Sequence, residues 1–466
     1  MKTRLVEITA TIFGFACLPK VYSTMPLYGQ CGGKSCHGGR TCANGNPYIY
    51  QNDWYSQCMV SSHTTTSSIA STSTTTSDSL EPSSTAPPSL PSAVPPQPPP
   101  GFVGVQGTQF VVDGVRFPVV GENAYWVGLT GLGADQMKEA FADIAATGAT
   151  VVRTWGFSDI TTSNSSGVYY QSWSGQFSTA NRGEDGMGNF DKVVAAAKAN
   201  GLRLIVPLSN NWSDYGGMDV YVKQIANSTN HDLFYSDPDI KNAFKYYAHA
   251  FMGRYITEPT IMAWELANEP RCKGSSGMTS GNCNPAMIAD WAREVAAFIK
   301  SIDPYHLIGI GDEGFFNHPG ASTYPYQGTE GIDFDANLQI SSIDFGTFHL
   351  YPSSWGQSGN ELDWGNKWIE DHAASMRKAN KPVILEEFGV TSDQLTIYSA
   401  WLKQVISTGI TGDLIWQSGS RLPGWTSPDD GYTVYPDSPV YDLLKQHAVT
   451  LQGQIKSSAY KLTHTH

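Results

Sequence analysis

The sequence predicts an α/β protein, a (β/α)₈ barrel preceded by a small disulfide-stabilised β module. Three observations carry this reading. From Gly101 onward, short apolar runs rich in Val and Ile alternate with segments whose apolar residues recur every three or four positions. Eight such runs can be counted, the number a closed parallel barrel requires. Nearly every run ends in a polar or aromatic residue, as barrel strands do at the rim that carries chemistry.

The eight strand candidates are Val119–Ala124, Thr150–Trp155, Arg203–Leu208, Ile261–Glu265, Leu307–Gly311, Phe345–Leu350, Pro382–Glu387 and Asp413–Trp416. Helical periodicity occupies Asp135–Ala146, Phe190–Ala199, Asp239–Tyr255, Pro285–Ser301, Lys367–Ala379 and Gln394–Ser407. Asp237-Pro238 and Asn284-Pro285 each read as a capping residue followed by proline in the first turn. The competing architecture is an open doubly wound sheet, but no glycine-rich phosphate loop follows the first run. At the predicted rim stand Arg153 and Trp155 after the second run, Asn210, Asn211 and Trp212 after the third, and Asn268 and Glu269 after the fourth. Asp312 and Glu313 follow the fifth, His349 and Tyr351 end the sixth, Glu387 ends the seventh and Trp416 the eighth.

The rest of the chain divides by composition. Residues 1–23 read as a secretory signal: Lys2 and Arg4, an apolar stretch from Ile8 to Leu18, then small residues near Val21–Ser23. A partly buried N-terminal helix is the alternative. The stretch is shorter than the roughly 20 residues a bilayer span needs, so no membrane anchor is expected. Residues 24–60 are rich in Cys, Gly and aromatics. Residues 61–100 are dominated by Ser, Thr and Pro, which cannot bury enough apolar surface to offset ordering entropy. They read as an O-glycosylated stalk. The catalytic unit is placed at 101–450, with a short polar tail of no expected importance. The formal net charge of −13 disfavours nucleic acid and anionic membrane as partners. A monomer is expected. Six cysteines remain after Cys17 leaves with the signal, an even count that implies disulfides in an exported chain. Zinc is the alternative for the first four, but their spacings do not match its usual pairs.

Two apolar runs ending in carboxylates, WELANEPRC at 264–272 and PVILEEFG at 382–389, are the minimum equipment for cleaving a glycosidic bond. One carboxyl protonates the leaving oxygen, and the other attacks or activates water from the opposite side. No metal constellation is expected, and no cofactor, because two carboxyls suffice.

The segments VRTWGF (152–157), NNWSDYGG (210–217), WELANEPRC, GDEGF (311–315) and LEEFG (385–389) resemble the fungal endo-β-1,4-mannanases of glycoside hydrolase family 5, in order through 101–449. That resemblance implies retaining hydrolysis of internal β-1,4 bonds in mannan, galactomannan and glucomannan. Glu269 matches the acid/base, whose environment should raise its pKa. Glu387 matches the nucleophile, expected to be ionised beside Arg153. Alternation along the strand is expected to send Glu386 to the opposite side. By the same match Asn268 bonds the sugar 2-hydroxyl, His349 and Tyr351 line the site, and Trp416 is the stacking platform. Trp155 belongs to the same rim, and Trp212, Trp355, Glu313 and Arg271 are candidates for neighbouring subsites. Cys272 and Cys283 bracket a Gly/Ser-rich loop and are expected to bridge. A family 5 endo-β-1,4-glucanase and a non-catalytic carbohydrate-binding wall protein are the alternatives; spacing alone does not separate mannose from glucose.

Residues 26–60 resemble a fungal-type family 1 cellulose-binding module through YGQCGG (28–33) and YSQC (55–58). The resemblance implies a flat face of Tyr28, Trp54 and Tyr55, helped by Asn52 and Gln57, with plant cell-wall cellulose as partner. The family's third cysteine falls at Tyr48, and Cys36 is additional. The resemblance implies that Cys42–Cys58 can form as in the family, and Cys31 must then pair with Cys36 or remain unpaired. Asn211, Asn164 and Asn227 begin glycosylation sequons, the first unfavourably placed at the rim.

Overall fold

The computed structural model describes residues 98–162 and 167–463, and the strands Gln30–Gly32, Tyr48–Asn52 and Tyr55–Cys58 nearer the N-terminus. The side chains of those three strands and of 454–463 are not described. The chain forms two compact units, Met1–Leu90 and Pro91–His466. In the first, the three strands make an antiparallel sheet with Tyr55–Cys58 in the middle. Asn52, Tyr55, Gln57 and Cys58 lie on these strands, Gln57 opposite both Gln30 and Ile49. Tyr28, Trp54, Cys36, Cys42, the expected signal, the stalk at 61–97 and Asn164 lie outside the described residues.

The second unit contains the eight-stranded sheet. Its strands are β1 (Val119–Asn123), β2 (Val151–Arg153), β3 (Arg203–Pro207), β4 (Ile261–Glu265), β5 (Leu307–Gly309), β6 (Gly346–Leu350), β7 (Val383–Phe388) and β8 (Gly412–Ile415). The order β5-β4-β3-β2-β1-β8-β7-β6 is parallel throughout. The two ends meet through the Asp344 N–H on Ile308 O (2.8 Å) and the His349 N–H on Glu313 O (3.2 Å). The sheet is therefore a (β/α)₈ barrel, and each strand coincides with a predicted run to within a few residues.

The predicted helices are present as Ala134–Ala145, Met187–Ala199, Pro238–Met252, Pro285–Ile302, Glu361–Ala379 and Gln394–Thr408. Two of them start as the sequence indicates. The Asp237 carboxylate accepts from the N–H groups of Asp239 (2.9 Å) and Ile240 (3.1 Å), and Asn284 accepts from Met287 N–H (3.2 Å). The helices pack on the outer strand faces through aromatics: Trp264 of β4 meets Phe251 and Tyr255, and Phe388 of β7 meets Tyr398 and Trp401. Helices at Met218–Ala226 and Phe334–Leu338 had no sequence signal in this reading. The last helix, Pro439–Thr463, runs through the boundary expected at 450. Its Leu451 is buried and its Gln452 bonds Gly148 O (2.8 Å), so residues 451 and 452 pack with the barrel.

Inside, the barrel is layered. The lower layer is apolar: Val119, Val151, Ile205, Ala263, Leu307, Phe345, Ile384 and Leu414, roughly one side chain per strand. It is closed from below by Val103 and Phe110 of the hairpin Val103–Gln106/Gln109–Val112, with Phe110 edge-on to Phe345 at 5.7 Å. Two residues further along three of the strands the interior turns ionic, with Arg153 above Val151, Glu265 above Ala263 and Glu386 above Ile384.

β7 departs from strict alternation. Phe348 of β6 pairs with Leu385, but His349 pairs with Glu387, so Glu386 is an extra residue in the ladder. Glu386 and Glu387 consequently reach the same interior partners. Arg153 meets Glu386 at 3.5 Å and Glu387 at 2.5 Å, and His349 meets them at 3.4 and 3.5 Å. The expected opposite orientation of the two side chains is thus corrected: the bulge turns both inward, at different heights.

Candidate active site

Arg153 is the hub. It is fully buried, and its Nε donates to Glu265 Oε2 (2.9 Å). One terminal nitrogen donates to Glu387 Oε1 (2.5 Å) and Asn123 Oδ1 (3.2 Å), the other to Asn268 Oδ1 (2.8 Å). A planar fork with five N–H groups is the one side chain able to hold this many acceptors at fixed angles. Glu387 is further fixed by the Tyr351 hydroxyl, which donates to Oε2 (2.8 Å). Asn268 donates in turn to Asn210 Oδ1 (3.1 Å).

Glu269 follows β4 with its backbone in the left-handed region, φ 51°. Its N–H donates to Gly311 O (2.8 Å), and Gly311 itself has φ +81°. A Cβ on Gly311 would lie 2.1 Å from Ala267 O, so only glycine lets the two segments come this close. The Glu269 carboxylate is held by Trp212 Nε1 on Oε2 (2.6 Å) and His349 Nδ1 on Oε1 (2.7 Å). One oxygen of Glu269 and one of Glu387 lie within 4.8 Å of each other. Among the described residues, Glu269, His349 and Glu387 are the one trio with ligand atoms close enough for a metal ion. Those atoms already bond one another or Arg153, Tyr351 and Trp212.

The electrostatics reverse the sign expected for Glu269. Burial pushes the Glu269 carboxyl up, but the hydrogen bond and charge of His349, the charge of Arg271 and the Trp212 N–H outweigh it and hold the group at about 2. Burial raises Glu387, and the charge of Glu269 adds to it; His349, Arg153 and Tyr351 offset this only in part. The physical reason is His349. Burial disfavours its charge, but Glu387, Glu269 and Glu386 together raise its pKa well above the usual imidazole range. Carboxylates face both ring nitrogens. The expectation of a raised Glu269 is therefore corrected: His349 and Arg271 hold its carboxyl low, while the imidazole is the group pushed up.

Around this centre, Trp416 lies parallel to Tyr125 (5.5 Å, 4°) and near Trp155 (5.9 Å), whose ring also lies under Arg153 (4.8 Å). The Trp416 indole N–H donates to Asp430 Oδ2 (2.7 Å). Arg271 makes a two-pronged bond to Glu313 (2.5 and 2.6 Å) and stacks on Trp212 at 5.2 Å. Cys272 and Cys283 are bridged, directly beside Arg271. Trp355 is 6% exposed and packs against Phe315, Trp364 and Trp368. It stands at the end of the turn Pro352–Trp355, which follows β6. Asn211 of the first sequon is buried and donates to Lys273 O (3.2 Å), whereas Asn227 is exposed. Sequence reasoning missed Asn123, Tyr125, Glu265 and Asp430. Glu265 ends a predicted strand and Asn123 is the next-to-last residue of another, so position was the available signal; nothing marked Asp430.

Residues 100–408 match the family described as GH family 5 β-mannosidase-like. A curated relative from Emericella nidulans, named probable mannan endo-1,4-beta-mannosidase F, is 44% identical over 89% of this chain and 92% of its own length. One from Aspergillus flavus, probable mannan endo-1,4-beta-mannosidase A, is 42% identical over 74% of this chain and 86% of its own. Among solved structures, the endo-1,4-beta-mannanase of Rhizomucor miehei superposes with a TM-score of 0.70 at 38% identity, covering 76% of this chain and 99% of that one. With an eight-stranded barrel, two carboxylates at its rim and these similarities over most of its length, the chain belongs to the mannosidases of glycoside hydrolase family 5.

Proposed function

We propose that the chain is a secreted mannan endo-1,4-β-mannosidase that cleaves internal β-1,4 bonds of mannan, galactomannan and glucomannan with retention of configuration. The observation that carries the retaining mechanism is the approach of Glu269 and Glu387 to within 4.8 Å. An inverting pair needs roughly 6.5–9.5 Å to admit a water, whereas a nucleophile and acid/base stand about 5–5.5 Å apart. Glu387, oriented by Arg153 and Tyr351, attacks the anomeric carbon and forms a glycosyl ester. The leaving oxygen takes a proton from the His349–Glu269 pair. Glu269 hands it over, because its side chain is 12% exposed while His349 is fully buried behind it. Glu269 then accepts a proton from the water that cleaves the ester. Asn268 keeps one amide hydrogen uncommitted, suited to a sugar 2-hydroxyl. The preference for mannan rests on the relatives' names and not on this geometry.

Glu269→Gln and Glu387→Gln should each reduce reducing-end release from galactomannan by orders of magnitude while the circular dichroism spectrum stays native. Proton NMR of early products from mannohexaose should show the β-anomer first. An initial α-anomer, or carboxymethyl-cellulose cleaved faster than galactomannan, would overturn the mechanism or the substrate respectively.

The same proposal extends to the N-terminus: residues 1–23 as signal, 24–60 as a cellulose-binding module and 61–100 as a glycosylated tether. The motifs at 28–33 and 55–58 and the three-stranded antiparallel sheet support it. No helix among the described residues is long and apolar enough to cross a membrane. Removing 24–100 should leave turnover of soluble galactomannan nearly unchanged and weaken retention on microcrystalline cellulose. Equal retention by both forms would refute the binding role.

A further inference from the structure

Beneath the working carboxylates lies a second carboxyl pair with no role in the mechanism above. Glu265 and Glu386 are both completely buried. Their Oε2 atoms converge on one nitrogen, Arg153 Nε, at 2.9 and 3.5 Å. One oxygen of each, Oε1 in both, is buried without a hydrogen-bond partner. Two ionised carboxylates offer only acceptors and repel each other, so their convergence favours a proton on one of them. The charge balance points the same way. The buried cluster contains four carboxyls, Glu265, Glu269, Glu386 and Glu387, and two cations, Arg153 and His349. Full ionisation would leave two uncompensated negative charges over an apolar floor, which is costly.

The geometry also says which partner holds the proton. Glu386 faces two cationic groups, Arg153 Nε at 3.5 Å and His349 Nε2 at 3.4 Å. Glu265 faces Arg153 alone, at 2.9 Å. The other ionisable groups around the pair are Glu387 on β7, Glu269 after β4 and Asp312 after β5. All are carboxyls, and they make a further negative charge at Glu265 still less favourable.

We propose that Glu265 is a carboxylic acid in the working enzyme, donating its proton to Glu386, and that the Glu386 carboxylate so fixed positions His349 as the imidazolium that supplies Glu269. Burial raises the Glu265 pKa well above the carboxylate range, while Arg153 and His349 lower that of Glu386, which agrees with this division. Both are positioning residues, since neither touches the sugar. The kinetic consequence rests on the catalytic reading above; the location of the proton does not.

Two measurements test it. Neutron diffraction from deuterium-exchanged wild-type crystals at neutral pH should show nuclear density between the two carboxyls, bonded to Glu265. Its absence, or its attachment to Glu386, overturns the proposal without touching the assignment of Glu269 and Glu387. The second is the pH profile of kcat/KM on mannohexaose. Glu265→Gln supplies a neutral donor of the same shape and should leave the alkaline limb where it is. Glu386→Gln removes the charge beside His349 Nε2, so the imidazolium is lost earlier and the limb should fall by about one pH unit or more. A purely structural pair would give two variants of lowered thermal midpoint and equal, unshifted limbs. Equal limbs, or a shift in Glu265→Gln alone, refute the inference. If a variant does not fold, the wild-type neutron result decides.

Discussion

Tyr351→Phe isolates a single donor on the nucleophile. The hydroxyl donates to Glu387 Oε2 at 2.8 Å, and the ring is otherwise held by packing, including an edge contact to Tyr432 at 5.7 Å. Phenylalanine keeps that packing and removes only the oxygen. Burial lifts the Glu387 pKa, His349 and Arg153 pull it back, Glu269 lifts it again, and Tyr351 is a further lowering contact. A hydrogen bond to a charged group contributes about 1.5–3 kcal/mol. At 1.36 kcal/mol per unit, its loss corresponds to a rise of about 1–2 pH units in the nucleophile's pKa. Glu387 attacks in its ionised form, so the acidic limb of kcat/KM should move to higher pH by that amount. The alkaline limb, governed by the proton on His349 and Glu269, should move little. The assay is initial-rate hydrolysis of mannohexaose across the pH range, with thermal unfolding as a fold control. Because the three groups titrate together, the limbs are apparent values of the cluster. A profile that drops uniformly with its acidic limb in place would refute the reasoning, since Tyr351 would then act on substrate position and not on the nucleophile's charge.

Two further outcomes follow from the packing around the site. Trp355→Ala should cost about 3–5 kcal/mol in urea unfolding with KM for mannohexaose unchanged; a raised KM at unaltered stability would give Trp355 a place in the cleft. Replacing both Cys272 and Cys283 by Ser opens a loop closed across 11 residues and should cost about 2–3 kcal/mol by loop-closure entropy. An unchanged thermal midpoint would show that the loop is held by other contacts, such as Cys272 N–H on Glu330 O.

The eight strands were legible because each is a buried apolar run, and the polar residue after each run marked the rim. What pattern could not show was the consequence of one extra residue in β7. The dipeptide Glu386-Glu387 reads as one inward and one outward carboxylate, and only the register against Phe348 and His349 reveals two inward ones. Glu265 stayed unmarked for a related reason: at the end of IMAWE it reads as a strand terminus, and its ionic partner lies 112 residues earlier in the chain. The sign of the Glu269 pKa shift was also out of reach, because it depends on His349 sitting between three carboxylates. The three aromatic rings that pack against Trp355 come from positions 315, 364 and 368, a grouping no local pattern announces. The helix Met218–Ala226 begins after Gly216 and Gly217, both at positive φ, which read as loop.

The hairpin under the barrel gives the enzyme a dry basement. Val103 and Phe110 stop solvent from rising between the strands, so the field felt by Arg153 and its carboxylates is that of a sealed, weakly polarisable chamber open at one end only. Replacing Val103 and Phe110 by Ala would remove no group that handles sugar. It would let water in from underneath, weaken every ion pair in the chamber and retune the chemistry above from a segment that never meets the substrate.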